Sequence, residues 1–205
     1  MMTHRYFVFL VLINLIICSV NCQWVIENQY NDNECSGTPI NNILRINFCS
    51  ASKIQEYCSI DEDFVEVELF TDKKCSNMFD GVKIPLNNCT AHTSYQCSNN
   101  FTVASNSFVT ESYRDNSTTC NGDEREIFAL TVVPLHTCFS SQITTCNGTH
   151  ASVFWYNNVD CTGSKFATHQ KLGCISGNGL GNKSGFTNYY CTNSNSDEIT
   201  YLFDE

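Results

Sequence analysis

Cysteine spacing constrains this chain more than any other feature. Of its 14 cysteines, twelve form four triplets: Cys35/Cys49/Cys58, Cys75/Cys89/Cys97, Cys120/Cys138/Cys146 and Cys161/Cys174/Cys191. Each triplet lies in a copy of one segment about 40 residues long, and repetition at that period marks repeat or multi-unit architectures. A unit of that size buries too little surface to stand alone, so cross-links and the pairing of units must carry the fold.

Around the first cysteine the copies read Tyr30-Asn31-Asp32 to Cys35-Ser36-Gly37, Phe70-Thr71-Asp72 to Cys75-Ser76-Asn77, Tyr113-Arg114-Asp115 to Cys120-Asn121-Gly122, and Tyr156-Asn157-Asn158 to Cys161-Thr162-Gly163. An apolar or alternating stretch precedes each: Trp24-Val25-Ile26, Phe64-Val65-Glu66-Val67-Glu68-Leu69, Ser107-Phe108-Val109-Thr110 and Ala151-Ser152-Val153-Phe154-Trp155. Alternation built from β-branched and aromatic residues reads as a half-buried strand. Asp or Asn beyond the aromatic closes an Asx-turn, and Gly or Asn after the cysteine accepts positive φ. The first cysteine of each copy is therefore expected in a hairpin turn.

A second apolar stretch leads to the second cysteine, as in Ile43-Leu44-Arg45-Ile46, Val82-Lys83-Ile84-Pro85-Leu86 and Leu130-Thr131-Val132-Val133-Pro134. Pro85 and Pro134 occupy corresponding places, which suits a strand edge or a bulge. Tyr57-Cys58, Tyr95-Gln96-Cys97 and Tyr189-Tyr190-Cys191 close a third, polar-aromatic stretch. No segment combines helical periodicity with caps. The expected fold is all-β, with disulfide-rich antiparallel strands in four imperfect units that form two paired β units, residues 23–105 and 106–205.

Three cysteines per unit is an odd number, so a unit closes at most one bridge internally and shares the third. The expectation is Cys35–Cys49, Cys75–Cys89, Cys120–Cys138 and Cys161–Cys174 within copies, with Cys58–Cys97 and Cys146–Cys191 across them. Spacing alone leaves other connectivities open.

Residues 1–22 combine a basic start (His4, Arg5), an apolar run and a polar exit, the pattern of a secretory signal peptide too short to span a bilayer comfortably. Cleavage after Cys22 removes Cys18 and Cys22 and leaves an even set, as a secreted disulfide framework requires. No C-x-x-C pair points to zinc or thioredoxin chemistry. The C-terminus lacks a lipid-anchor tail. The expected product is secreted and extracellular, with no stable membrane anchor. Of 11 basic residues Arg5 leaves with the signal, so 10 face 21 acidic ones for a formal charge of −11. That balance disfavours nucleic acid and anionic membrane as partners. Asn88, Asn100, Asn116, Asn147 and Asn182 are N-glycosylation sequons.

Chemical motifs are scarce. The run 177–184 (GNGLGNKS) is one residue from a phosphate-cradling loop, but Asn182 replaces the second glycine, no helix is expected after it, and a flexible loop is the better account. Asp61-Glu62-Asp63 and Asp123, Glu124 and Glu126 offer the oxygens calcium uses, yet neither matches an EF-hand loop, and such charge runs are ordinarily solvated turns. Asp32, Asp72 and Asp115 are turn-formers before they are ligands. No carboxylate pair stands out as a glycosidase pair. His92, His136, His150 and His169 show no metal or triad spacing. No enzyme activity and no cofactor are expected. Phe154-Trp155-Tyr156 alternates between faces of a strand, so Trp155 or Tyr156 can stack on a sugar ring or pack at an interface, against the plainer reading of core and edge cover.

The repeated Tyr/Phe-x-Asp/Asn turn leading to Cys-x-Gly, in an asparagine-rich chain behind a signal peptide, resembles the cysteine-rich secreted and cell-surface proteins of social amoebae. That resemblance spans the mature chain, carries over no catalytic residues, and implies an extracellular protein linked in some cases to adhesion or matrix. The expected function is an extracellular binding, adhesion or matrix component whose partner is a protein or glycan. A secreted hydrolase or enzyme inhibitor on the same scaffold is the alternative.

Overall fold

Alternating side chains produce strands throughout the chain. The computed structural model describes residues 24–46, 49–50, 52–59, 63–113, 119–120, 127–176, 185–193 and 199–202. Residues 1–22, Asp61, Glu62, Asp115, Asn116, Asp123, Glu124, Glu126 and the run 177–184 with Asn182 lie outside them. The strands are β1 (Trp24–Gln29), β2 (Asn41–Arg45), β3 (Ile54–Cys58), β4 (Phe64–Phe70), β5 (Met78–Pro85), β6 (Thr93–Ser98), β7 (Asn100–Val103) and β8 (Ser107–Tyr113). They continue with β9 (Ile127–Pro134), β10 (Cys138–Phe139), β11 (Gln142–Asn147), β12 (His150–Tyr156), β13 (Lys165–Lys171), β14 (Gly173–Ser176), β15 (Phe186–Cys191) and β16 (Ile199–Leu202). All pairings are antiparallel and no helix occurs among the described residues, so the chain is all-β.

Four hairpins organise the molecule: β1–β2, β4–β5, β8–β9 and β12–β13. Each takes its third strand from its neighbour. β3 pairs with β4 while β6 returns to β1, and β11 pairs with β12 while β15 returns to β8. β2 and β9 then meet edge to edge, so one sheet runs β14-β15-β8-β9-β2-β1-β6 through both halves. Two smaller sheets, β3-β4-β5 and β10-β11-β12-β13, and the pair β7–β16 complete the fold.

Strand exchange corrects the expected cross-links. The bonds are Cys35–Cys89, Cys49–Cys75, Cys120–Cys174 and Cys138–Cys161, not the four internal bridges; Cys58–Cys97 and Cys146–Cys191 are as expected. The physical reason is local. Gln29 at the end of β1 faces Thr93 at the start of β6, and Tyr30 N donates to His92 O (2.8 Å), so the turn bearing Cys35 lies beside the residues before β6, where Cys89 sits. Likewise Phe70 N donates to Lys53 O (2.9 Å), which brings the Cys75 turn to Cys49, just before β3. Every bridge thus ties one hairpin's segment to its neighbour's.

The recurrent aspartates shape these turns. Asp32 Oδ1 accepts from Ser36 N (3.0 Å) and Glu34 N (2.9 Å), and Asp72 Oδ1 from Lys74 N (2.8 Å). The Ser36 N–H above all, with the Ser36 hydroxyl, holds the Asp32 carboxyl below its ordinary value. Gly37 and Gly163 take φ of 80° and 85°, as expected two residues after the cysteine, and Cys35, Cys75 and Cys161 are themselves left-handed at 52°, 49° and 58°.

The main core lies on one face of the long sheet. Trp24, Ile26, Leu44, Val109, Leu130 and Val132 pack there with Val103 of β7 and Tyr201 of β16. Leu44 and Leu130 face each other across the β2–β9 joint, both fully buried. Burying a side chain of this kind contributes about 1.5–3 kcal/mol. A second cluster of Val25, Cys58 and Val65, with Val67, Ile84, Tyr95 and Cys97 packed against it, seals the first half between its two sheets.

Candidate functional site

Two tight turns build the walls of a cleft between the halves. Ala91 and His92, with φ of 49° and 68°, link Thr90 to Thr93, whose backbones exchange bonds of 2.8 and 3.0 Å. Ser140 and Ser141, at 45° and 66°, connect β10 to β11 between the facing residues Phe139 and Gln142. Positive φ at both central residues is the type I′ geometry that suits the twist of a two-residue hairpin. Held in this way, Ala91 and His92 come from the first half and Phe139 and Ser140 from the second.

The cleft has a volume of about 460 Å³. Gln29 at the end of β1, the following Tyr30 and Asn31, and Thr93 complete the first-half lining. Val159, 82% exposed in the β12–β13 turn, also lines it. The Gln29 amide is engaged within the sheet, donating to Glu27 Oε1 (2.7 Å) and accepting from Asn41 Nδ2 (2.9 Å). Asn31, Thr93 and Ser140 supply amide and hydroxyl groups, His92 an imidazole, and Tyr30 and Phe139 aromatic rings. None of the lining side chains is a carboxylate. Such a lining suits hydrogen bonding and stacking with a small neutral ligand.

The sequence candidates Trp155 and Tyr156 lie on β12, outside this lining. Trp155 stacks parallel to Phe166 of β13, with ring centroids 6.1 Å apart, and its Nε1 donates to Thr168 Oγ1 (3.3 Å). Tyr156 is on the opposite face, where Lys165 Nζ sits 5.5 Å from its ring centroid and 4.4 Å from that of Phe154. Three sequon asparagines, Asn88, Asn100 and Asn147, are exposed. His150 and His169 bond local hydroxyls, Thr149 at 2.9 Å and Ser152 at 2.8 Å. Among the described residues, no group of three or more His, Cys, Asp or Glu is placed to hold a metal ion.

One polar centre escaped the sequence reading. Glu111 of β8 is buried in the long sheet and accepts from Tyr113 Oη (2.9 Å), Asn188 Nδ2 (2.9 Å) and the Tyr201 hydroxyl, which in turn bonds that of Tyr190. Burial, the neighbouring phenol and the Glu111 carboxylate push the Tyr201 hydroxyl well above its ordinary value, and burial and Glu111 do the same for Tyr190. The signal was present in the alternation: Glu111 is two residues from both Val109 and Tyr113 and shares their inward face.

Asn31, His92, Ser140 and Phe139, by contrast, carry no sequence signal of a site. Residues distant in the chain meet there only because the halves join. No protein-family model, no curated protein and no solved structure matches this chain.

Proposed function

We propose that this chain is a secreted, N-glycosylated protein that binds a saccharide outside the cell as an adhesion or matrix component, with the cleft between its halves as the binding site. Six disulfides support an extracellular-type protein, since such cross-links persist in oxidising compartments. The exposure of Asn88, Asn100 and Asn147 supports glycan attachment.

The observation that carries the ligand class is the lining itself. Rings from Tyr30 and Phe139 suit the apolar face of a sugar ring, while Asn31, Thr93, His92 and Ser140 offer donors and acceptors for its hydroxyls.

A glycan array probed with the purified secreted protein, with and without calcium, tests the reading. Binding that falls at least tenfold in Phe139→Ala and Asn31→Ala, both secreted and folded, supports the cleft. Loss on Trp155→Ala with the cleft variants unaffected moves the site to β12, and silence across the array removes the saccharide reading.

A further inference from the structure

Apart from Val159 in the β12–β13 turn and Ile199 of β16, the exposed large apolar side chains among the described residues lie on two edge strands. Among the described residues, Met78, Phe79 and Val82 on β5 and Phe166 on β13 are each more than half exposed. β5 ends the sheet β3-β4-β5 and β13 ends the sheet β10-β11-β12-β13. Each is the second strand of its hairpin, as β2 and β9 are of theirs, and β2 and β9 pair with each other. The chain thus contains its own example of how such edges meet.

We propose that β5 of one molecule pairs antiparallel with β13 of a second copy of this chain, joining molecules into open-ended rows. This is independent of the saccharide reading.

The internal joint supplies the register. β2 and β9 meet with Ile43 facing Thr131, Asn42 facing Val132 and Leu44 facing Leu130, a locally two-fold arrangement. Corresponding positions follow from the hairpins. Asn41 faces Gln29 just before Tyr30, Ala129 faces Ser112 before Tyr113, Asp80 faces Leu69 before Phe70, and Phe166 faces Trp155 before Tyr156. Two residues further on stand Ile43, Thr131, Val82 and Thr168. In the same register Val82 faces Thr168, Ile84 faces Phe166 and Asp80 faces Gln170 on one side, while Lys83 faces Ala167 on the other.

The backbone is poised for that ladder. Leu86 N bonds Asp63 O (3.0 Å) and Leu172 N bonds Thr149 O (2.9 Å), which fixes the alternation so that Gly81, Lys83, Ala167 and His169 turn their peptide groups away from their own sheets. Two features of β5 bear on access. Pro85 corresponds to Pro134, which lies just beyond the β2–β9 ladder and does not prevent it. Asp80 Oδ1 takes the Gly81 N–H (2.9 Å) in the single molecule; in the row that N–H goes to a β13 carbonyl, and the carboxylate turns to Gln170 beside Lys171.

Charge selects the unlike pair. Two β13 strands in this register set Lys165 against Lys171 at both ends, and like charges opposite one another destabilise a ladder. Two β5 strands leave Phe166 uncovered. Pairing unlike edges of the same molecule is a heterologous contact, which propagates unless it closes into a ring. A ladder this short buries little area, so association is weak and concentration-dependent.

Sedimentation velocity of the secreted wild-type protein over a dilution series reads this directly. The expected result is a mass that climbs through dimer to larger species with concentration. Lys83→Pro and Ala167→Pro each delete one N–H of the same facing pair, and each is expected to remain monomeric alone. Their equimolar mixture is expected to form dimers and stop there, because each variant retains the edge the other needs. Val82→Lys and Phe166→Lys, which leave the backbone intact, are expected to weaken association at least tenfold and guard against misfolding of the proline variants. A wild type that stays monomeric at every concentration overturns the proposal. So does an Ala167→Pro variant that still dimerises by itself, a mixture that stays monomeric, or self-association that none of the four substitutions changes.

Discussion

Glu111 shows how much a single buried acid can organise. Its carboxylate gathers Tyr113, Asn188 and Tyr201, and through Tyr201 the Tyr190 hydroxyl, so strand β16 is tied to β8 and β15 by polar bonds inside an apolar face. Because the Tyr190 and Tyr201 hydroxyls titrate above their ordinary value of 10.0 in the folded chain, the stabilisation they give is intact below about pH 10 and is lost as pH rises further. Chemical unfolding followed across that range should show stability falling from about pH 10 upward. Tyr201→Phe should cost about 1–3 kcal/mol at neutral pH and make the alkaline loss shallower. The turn roles of Asp32 and Asp72 were legible in the sequence because their partners lie within five residues. The role of Glu111 is not legible there, because its partners lie on strands up to 90 residues away.

Hairpins were legible for the same reason: alternation, an aromatic strand end and an Asx-turn are all local. Which third strand each hairpin receives is not. Nothing in Tyr57-Cys58 or Tyr95-Gln96-Cys97 says that β3 lies on β4 and β6 on β1. The bridges expected inside each copy fail on that point, since the second cysteine lies just before the third strand and is carried with it to the neighbouring hairpin's turn. Only the third-to-third bridges, Cys58–Cys97 and Cys146–Cys191, do not depend on the choice. Cys58 and Cys97 sit on strands that pair with β4 and β1, whose Val65 and Val25 fill the same cluster, so their bond crosses between sheets at the buried centre of the first half. Replacing both by serine should lower the free energy of unfolding by roughly 2–5 kcal/mol, measured by denaturant titration, while the second half's bridges still form.

At the scale of the whole molecule the halves share a sheet and a core but, among the described residues, no disulfide. Leu44 against Leu130 holds the joint, and the cleft is a by-product of how the halves meet there. A cleft of that kind cannot be read from spacing, because Asn31 and Ser140 come to line one space only when the sheet closes. Three bridges fall between Cys35 and Cys97, and three between Cys120 and Cys191. A protease that cuts the backbone at 86–88 would leave both fragments fastened together by Cys35–Cys89 and Cys58–Cys97, running as one band on a non-reducing gel. A cut at 104–106 would meet no such fastening, and the same gel should then resolve two pieces.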